Sequence, residues 1–287
     1  MTDETSITTH YRSDDLFARI IDRLSEDGIF NPKASDLKPV DEFHIGGTVA
    51  TEFVIDALAA RTGDEVLDVG CGLGGPARTI AERSGANIIG IDLSKDYVET
   101  GNRLSALTGF ADSVCLHEGS ALHMPFADNR FDGAYMIHVG MNIANKNRLI
   151  IEIGRTIKPN SPLVIYDVVR VGDDNMEFPV PWANNAADSA VDDVGTYESA
   201  FKAAGLELNS INNKSEFAFV FIKKLLNKMK SETRPALGLH MLMGDNAHKK
   251  VETLFGLVSR KILAPMVFSA SASPFTKRRA LPERARV

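Results

Sequence analysis

The sequence predicts an α/β fold: a mainly parallel sheet with helices on both faces. Three observations carry this expectation. The apolar stretch Glu65-Val-Leu-Asp-Val69 runs straight into the glycine-dense turn Gly70-Cys-Gly-Leu-Gly-Gly-Pro76, with helix-forming Ala77-Arg-Thr-Ile-Ala-Glu-Arg83 behind it. A second apolar strand, Asn87-Ile-Ile-Gly-Ile-Asp92, ends in an acid 22 residues beyond Gly70, the position from which such sheets hold a ribose. Strand-like and helix-like stretches then alternate along the chain.

In chain order, Leu16, Phe17, Ile20, Ile21 and Leu24 recur at helical spacing behind the possible caps Ser13 and Asp14. Pro32 and Pro39 break the pattern, and a second helix is expected over Val49, Phe53, Val54, Ala57 and Leu58. Beyond the glycine turn and the second strand, Tyr97 to Ala106 reads as helix and Ser113 to His117 as a third strand, with Cys115 expected to be buried. A loop, Gly119 to Phe126, precedes a fourth strand over Phe131 to Ile137. Ile150 to Ile157 is amphipathic, and the near-continuous apolar run Leu163 to Val169 suits a strand buried on both faces. Residues 171–194 lack a period and are long for a connection, which predicts a lid. Thr196 to Gly205 is a helix with a glycine stop. Leu206 to Asn209 and Ile262 to Ser269 are the last two strands, separated by a helical insertion over 216–261.

Composition narrows the function. The chain has 287 residues, an ordinary apolar share and a net charge of −6, which suits a globular small-molecule protein better than a nucleic-acid binder. Two cysteines, Cys71 and Cys115, make neither a disulfide framework nor a zinc spacing. With no metal-ligand set in the sequence, no metal is expected. No apolar run reaches the roughly 20 residues of a membrane span, so a cytoplasmic protein without stable membrane insertion is expected.

The glycine turn frames the chemistry. Gly70, Gly72 and Gly74 permit backbone conformations closed to other residues and let a ligand approach closely. Gly70, Gly72 and Gly75 also satisfy a dinucleotide fingerprint, so a nicotinamide-dependent oxidoreductase stays open on glycines alone. Asp68, two residues before the first glycine, argues otherwise, because its carboxylate repels a diphosphate and suits a cationic ligand. Asp92 supports an adenosine ligand in either case.

On these residues, Leu67-Asp-Val-Gly-Cys-Gly-Leu-Gly-Gly-Pro76 resembles motif I of the class I S-adenosylmethionine-dependent methyltransferases. Ser120-Ala-Leu-His-Met-Pro-Phe126 and Phe131-Asp132 are similar to that family's adenine-side loop and the strand after it, with serine where an acid is usual. The resemblance spans roughly residues 40 to 270 and is nearest a small-molecule branch with sarcosine or dimethylglycine and sugar O-methyltransferases. It implies a Rossmann-like seven-stranded sheet with an antiparallel last strand. It also implies S-adenosylmethionine as cofactor, held by Asp68, Gly70, Cys71, Gly72, Gly74, Asp92, Leu93, Ser120 and Ala121.

The expected organisation is an N-terminal helical cover (residues 1–46), a methyltransferase domain (47–270) with lids at 171–194 and 216–261, and a basic flexible tail (271–287). His138, just past the fourth strand, and His44, in the cover, are the candidate catalytic groups, since histidine titrates near neutrality. Tyr11, Met141, Trp182 and His240 are candidate acceptor contacts. The expected activity is transfer of a methyl group to nitrogen or oxygen of a small metabolite by a monomer or homodimer. Carbon methylation of a quinone-like ring and a non-catalytic adenosyl-ligand sensor are the alternatives.

Overall fold

A computed structural model describes residues 15–231 and 237–272. Among the described residues three helices come first: α1 (Leu16–Glu26), α2 (Ala34–Asp41) and α3 (Thr48–Leu58). Strand β1 (Glu65–Val69) leads through the glycine turn into α4 (Gly75–Ser84), followed by β2 (Asn87–Asp92), α5 (Lys95–Leu107), β3 (Val114–Glu118) and β4 (Gly133–Ile137). Then come α6 (Lys146–Thr156), β5 (Pro162–Arg170), α7 (Val194–Ala203) and β6 (Leu206–Asn213). An insertion of α8 (Ser215–Ser231), α9 (His240–Met243) and α10 (Ala247–Ser259) precedes β7 (Leu263–Ala272).

The strands form one seven-stranded sheet in the order β3-β2-β1-β4-β5-β7-β6. The five strands from β3 to β5 are parallel, whereas β7 runs antiparallel to both of its neighbours. This is the seven-stranded, Rossmann-like fold expected from the sequence. Alternating side chains divide the core between the two faces. Leu67 and Met136 pack with α6 and α7 residues such as Ile153 and Phe201, while Val66 and Tyr135 pack with Val54 of α3 and Ala77 and Ile80 of α4.

The strand order reverses between β1 and β4, leaving a crevice at their carboxyl ends, the usual ligand position of open α/β sheets. Two helical layers close over it. Leu16, Ile20 and Leu24 of α1 and Leu37 and Val40 of α2 cluster with Leu73, Tyr97 and Leu104. Ile222 and Leu226 of α8 and Val251, Leu254 and Leu257 of α10 cluster with Trp182 of the segment after β5.

Three features depart from the sequence reading. Residues 34–41 are helical despite Pro39, which lies inside α2; a proline removes a donor there, yet Leu37 and Val40 are fully buried and their packing offsets the loss. Cys115 is exposed rather than buried, because β3 is an edge strand whose residues alternate between core and solvent. β7 continues to Ala272, past the expected start of the tail, and residues 273–287 lie outside the described residues. Among the described residues no helix is long and apolar enough to cross a membrane.

Candidate active site

The crevice holds a cavity of about 300 Å³ walled by the ends of β1, β2 and β4. Gly70 has φ +76°, and a Cβ there would run into the Val139 side chain; glycine alone lets the turn pass under the segment after β4. The turn is tied to β2: Gly70 and Cys71 N–H groups donate to the Ile91 carbonyl, and Gly72 N–H donates to Asp92 Oδ2 at 2.8 Å. Ser94 N–H donates to Asp92 Oδ1 at 2.9 Å. Asp92 is therefore fixed by two backbone donors at the floor of the cavity.

Asp68 is the exception to this saturation. Its Oδ2 is buried with no hydrogen-bond partner, and burial pushes its pKa up to about 8. The Tyr135 hydroxyl lies close enough to lower that value somewhat, but no hydrogen bond of ordinary geometry forms and Tyr135 Oη is also unpartnered. Buried polar atoms are almost always satisfied. An orphaned carboxyl oxygen facing a cavity is the partner a cationic ligand would supply.

The cover grips this turn from above. Arg78 of α4 donates to Asp41 Oδ2 at 2.6 Å, to the Leu73 carbonyl at 2.8 Å and to Ser105 Oγ at 2.7 Å. Glu42 accepts hydroxyl hydrogen bonds from Thr51 and Thr79, both at 2.7 Å. A Cβ on Gly75 would meet the Asp41 backbone, so the close approach of cover and α4 requires glycine there.

A second cavity, of about 710 Å³, lies between the segment after β5 and the helical insertion and is lined mostly by apolar side chains, among them Met141, Trp182, Phe221, Leu225 and Leu254. Phe43, His44 and His138 line both cavities. His44 Nε2 lies 3.0 Å from the Gly47 carbonyl and 3.3 Å from Thr51 Oγ1. Because a carbonyl can only accept, the ring proton sits on Nε2 and Nδ1 keeps its lone pair. Burial lowers the His44 pKa to about 4, so its 3.6 Å approach to Glu42 Oε2 involves an uncharged imidazole at neutral pH.

His138 is also neutral, its pKa driven well down by burial and then by His44. The two rings are 5.9 Å apart, and the His138 ring lies 4.8 Å from that of Tyr166. Its backbone is left-handed, φ +54°, a conformation that costs a non-glycine residue about 1–3 kcal/mol. Its Nε2 is buried without a partner.

The turn carrying these residues rests on a polar support. Tyr197 Oη donates to Asp167 Oδ2 at 2.6 Å below Gly140, and burial raises the Asp167 pKa to about 6. Buried Lys146 donates to the carbonyls of Ile143 and Ala190 at 2.6 and 2.7 Å, stitching the segment after β5 to the turn.

Of the sequence candidates, Asp68, Gly70, Cys71, Gly72, Asp92, Leu93, Ser120 and Ala121 line the smaller cavity, and Met141, Trp182 and His240 line the larger. Gly74 lines neither; it caps α4 with φ +74°, and a Cβ there would press on Leu116 at 3.1 Å and Arg78 at 3.2 Å. Tyr11 lies outside the described residues. Sequence reasoning passed over Asp41, Glu42 and Phe43, in the stretch that leads into the second helix. Two adjacent acids within three residues of a histidine were the available signal. Among the described residues, no group of three His, Cys, Asp or Glu side chains could hold a metal.

Residues 67–165 match the family described as a methyltransferase domain. Among curated relatives, 24-methylenesterol C-methyltransferase 2 of Arabidopsis thaliana is 39% identical over 41% of this chain and 33% of its own. Methyltransferase GfsG of Streptomyces halstedii is 29% identical over 64% of this chain and 66% of its own. The chain thus spans a third of the first relative's length and just under two thirds of the second's. The solved geranyl diphosphate C-methyltransferase of Streptomyces coelicolor A3(2) superposes with a TM-score of 0.69 at 17% identity, covering 94% of this chain and 97% of that one. The domain match, together with an orphaned carboxyl in place of a phosphate site, identifies S-adenosylmethionine as the cofactor.

Proposed function

We propose, from a chain that carries a methyltransferase domain at residues 67–165, that this protein moves a methyl group from S-adenosylmethionine to a largely apolar small molecule. The observation that carries this reading is the wall of Phe43, His44 and His138 common to the two cavities. It puts a nucleoside-sized site and a larger apolar site in contact at one point. A volume of about 710 Å³ falls within the range of small-molecule pockets.

In this reading Asp68 faces the ammonium of the cofactor, Asp92 the ribose, and the backbone at Ser120 and Ala121 the adenine. The Ser120 hydroxyl accepts from Leu122 N–H at 3.1 Å. Bound S-adenosylmethionine supplies an electrophilic methyl carbon. The protein's part is to hold an acceptor atom in line with it and to keep water out, and positioning of this kind accounts for much of the rate.

An oxygen acceptor fits the histidine pair better than an amine. A hydroxyl must lose its proton as the bond forms, and His44 presents a neutral ring with a lone pair on Nδ1. Glu42, buried behind it, would stabilise the transient imidazolium. A carbon acceptor is the second reading, favoured by the named C-methyltransferase activities of a sequence relative and a structural neighbour; there the same base would take a proton from the methylated carbocation.

The test has two stages. Calorimetric titration with S-adenosylmethionine, S-adenosylhomocysteine and NAD is expected to show binding of both adenosyl ligands and none of NAD. Screening apolar alcohols, amines and alkenes for S-adenosylhomocysteine release, with a labelled methyl traced in the product, then separates oxygen, nitrogen and carbon acceptors. Binding without turnover across that panel would favour a ligand sensor instead.

A further inference from the structure

We infer that the outer face of α8 is a docking surface for an anionic lipid bilayer. The inner face of this helix, with Phe221, Ile222 and Leu225, lines the larger cavity. Its outer face begins with two exposed apolar side chains, Phe219 at 37% and Val220 at 51% exposure. Lys223, Lys224 and Lys230 follow on the same exposed side, with Glu216 as its single acid, a sum of 3 − 1 = +2 in a chain whose net charge is −6.

The arrangement is that of an interfacial helix. Apolar side chains at one end enter the boundary region while lysines meet anionic headgroups, their long stems reaching along the surface. The Phe219 ring is braced by Phe255 of α10 at 5.2 Å, and Lys223 Nζ sits 5.8 Å from it, so the aromatic group is presented rather than folded away. The two apolar side chains and the lysines thus share one solvent-facing side of the helix. Charge selects the occupant. A second copy would set lysine against lysine, whereas an anionic membrane neutralises each of them. A bilayer also holds apolar molecules at high local concentration one helix away from an apolar cavity. That last point rests on the acceptor reading above; the docking itself does not require catalysis, so the test below stands or falls separately.

The test is co-sedimentation of the full chain with vesicles of phosphatidylcholine and of phosphatidylcholine mixed with phosphatidylglycerol. Binding is expected to the mixed vesicles only and to be released by high salt. The charge reversal K223E/K224E should weaken it on the order of tenfold to a hundredfold, and V220S by a few-fold. Thermal unfolding checks that the variants are folded, and K223Q/K224Q, expected to lie between the two, serves if the reversal does not fold. No binding to mixed vesicles, equal binding to neutral ones, or undiminished binding by the folded K223E/K224E chain overturns the proposal. So does binding lost only when residues 273–287 are removed, which would place the contact in the basic tail. A wild-type dimer that the reversal converts to monomer would instead make this face a protein interface and also overturn it.

Discussion

Asp41 Oδ2 and Arg78 Nη2 lie 2.6 Å apart with both side chains 1% exposed, joining the N-terminal cover to the helix behind the glycine turn. The pair is incompletely satisfied, since Asp41 Oδ1 and Arg78 Nε have no partners. Burial raises the Asp41 pKa, against the lowering effect of Arg78. Such a pair specifies an arrangement more than it stabilises one. It makes the shape of the glycine turn depend on a segment about 37 residues away in sequence.

Breaking this pair from one side should be costly. Asp41→Ala leaves a guanidinium buried without its counter-charge and is expected to destabilise the fold by about 3–5 kcal/mol, read from urea unfolding, and to weaken cofactor binding. The double variant Asp41→Leu/Arg78→Met should recover much of the stability but not the cofactor affinity. Equal recovery of both would show that the clamp has no bearing on the turn.

Asp68 predicts a proton released on binding. With a pKa of about 8 its carboxyl is mostly protonated at neutral pH, and an arriving ammonium would pull that pKa down. The binding enthalpy of S-adenosylmethionine should therefore differ between buffers of low and high ionisation enthalpy near pH 7, and Asp68→Asn should abolish the difference. The folded-state pKa is raised, so the contribution of Asp68 to stability is complete below the ordinary value of 3.8 and is lost as pH rises to about 8. The ligand-free Asp68→Asn protein should lose less stability than wild type across that window, as scanning calorimetry would record.

His44 predicts a base that is already free at neutral pH. Because its pKa is lowered to about 4, its contribution to kcat should rise as pH passes upward through that value and stay level to neutrality. His44→Ala should lower kcat on the order of 10²- to 10⁴-fold, far more than it changes the cofactor Kd. Glu42→Gln should lower it less. A His44→Ala enzyme with full kcat would reduce the imidazole to a wall of the cavity.

The larger cavity predicts a clean separation of effects. Leu225→Trp places bulk into it from the inner face of α8 and should raise KM for the acceptor on the order of tenfold while leaving cofactor affinity intact. A matching loss of cofactor binding would mean that the two cavities are one site.

The sheet and the glycine turn were legible because their signals are local. Gly70 and Gly72 announce positive φ, Asp68 and Asp92 stand at fixed distances from them, and apolar runs mark each strand. Helix α2 was not legible, since Pro39 reads as a break and only the burial of Leu37 and Val40 against another part of the chain overrules it. The exposure of Cys115 followed from its place in the strand order, which no local pattern states. Glu42 was missed for the same reason: its value comes from Thr51, Thr79 and His44 meeting it in space.

The helical insertion leaves the sheet at Asn213 and returns at Leu263, on two strands paired with each other so that Asn213 faces Met266. Its two ends are thus moored side by side, and whatever hangs between them can change in length and content without moving either strand. That lets one contiguous passage of the gene be rewritten to reshape the larger cavity, which Phe221, Leu225 and Leu254 line, while the glycine turn stays as it stands.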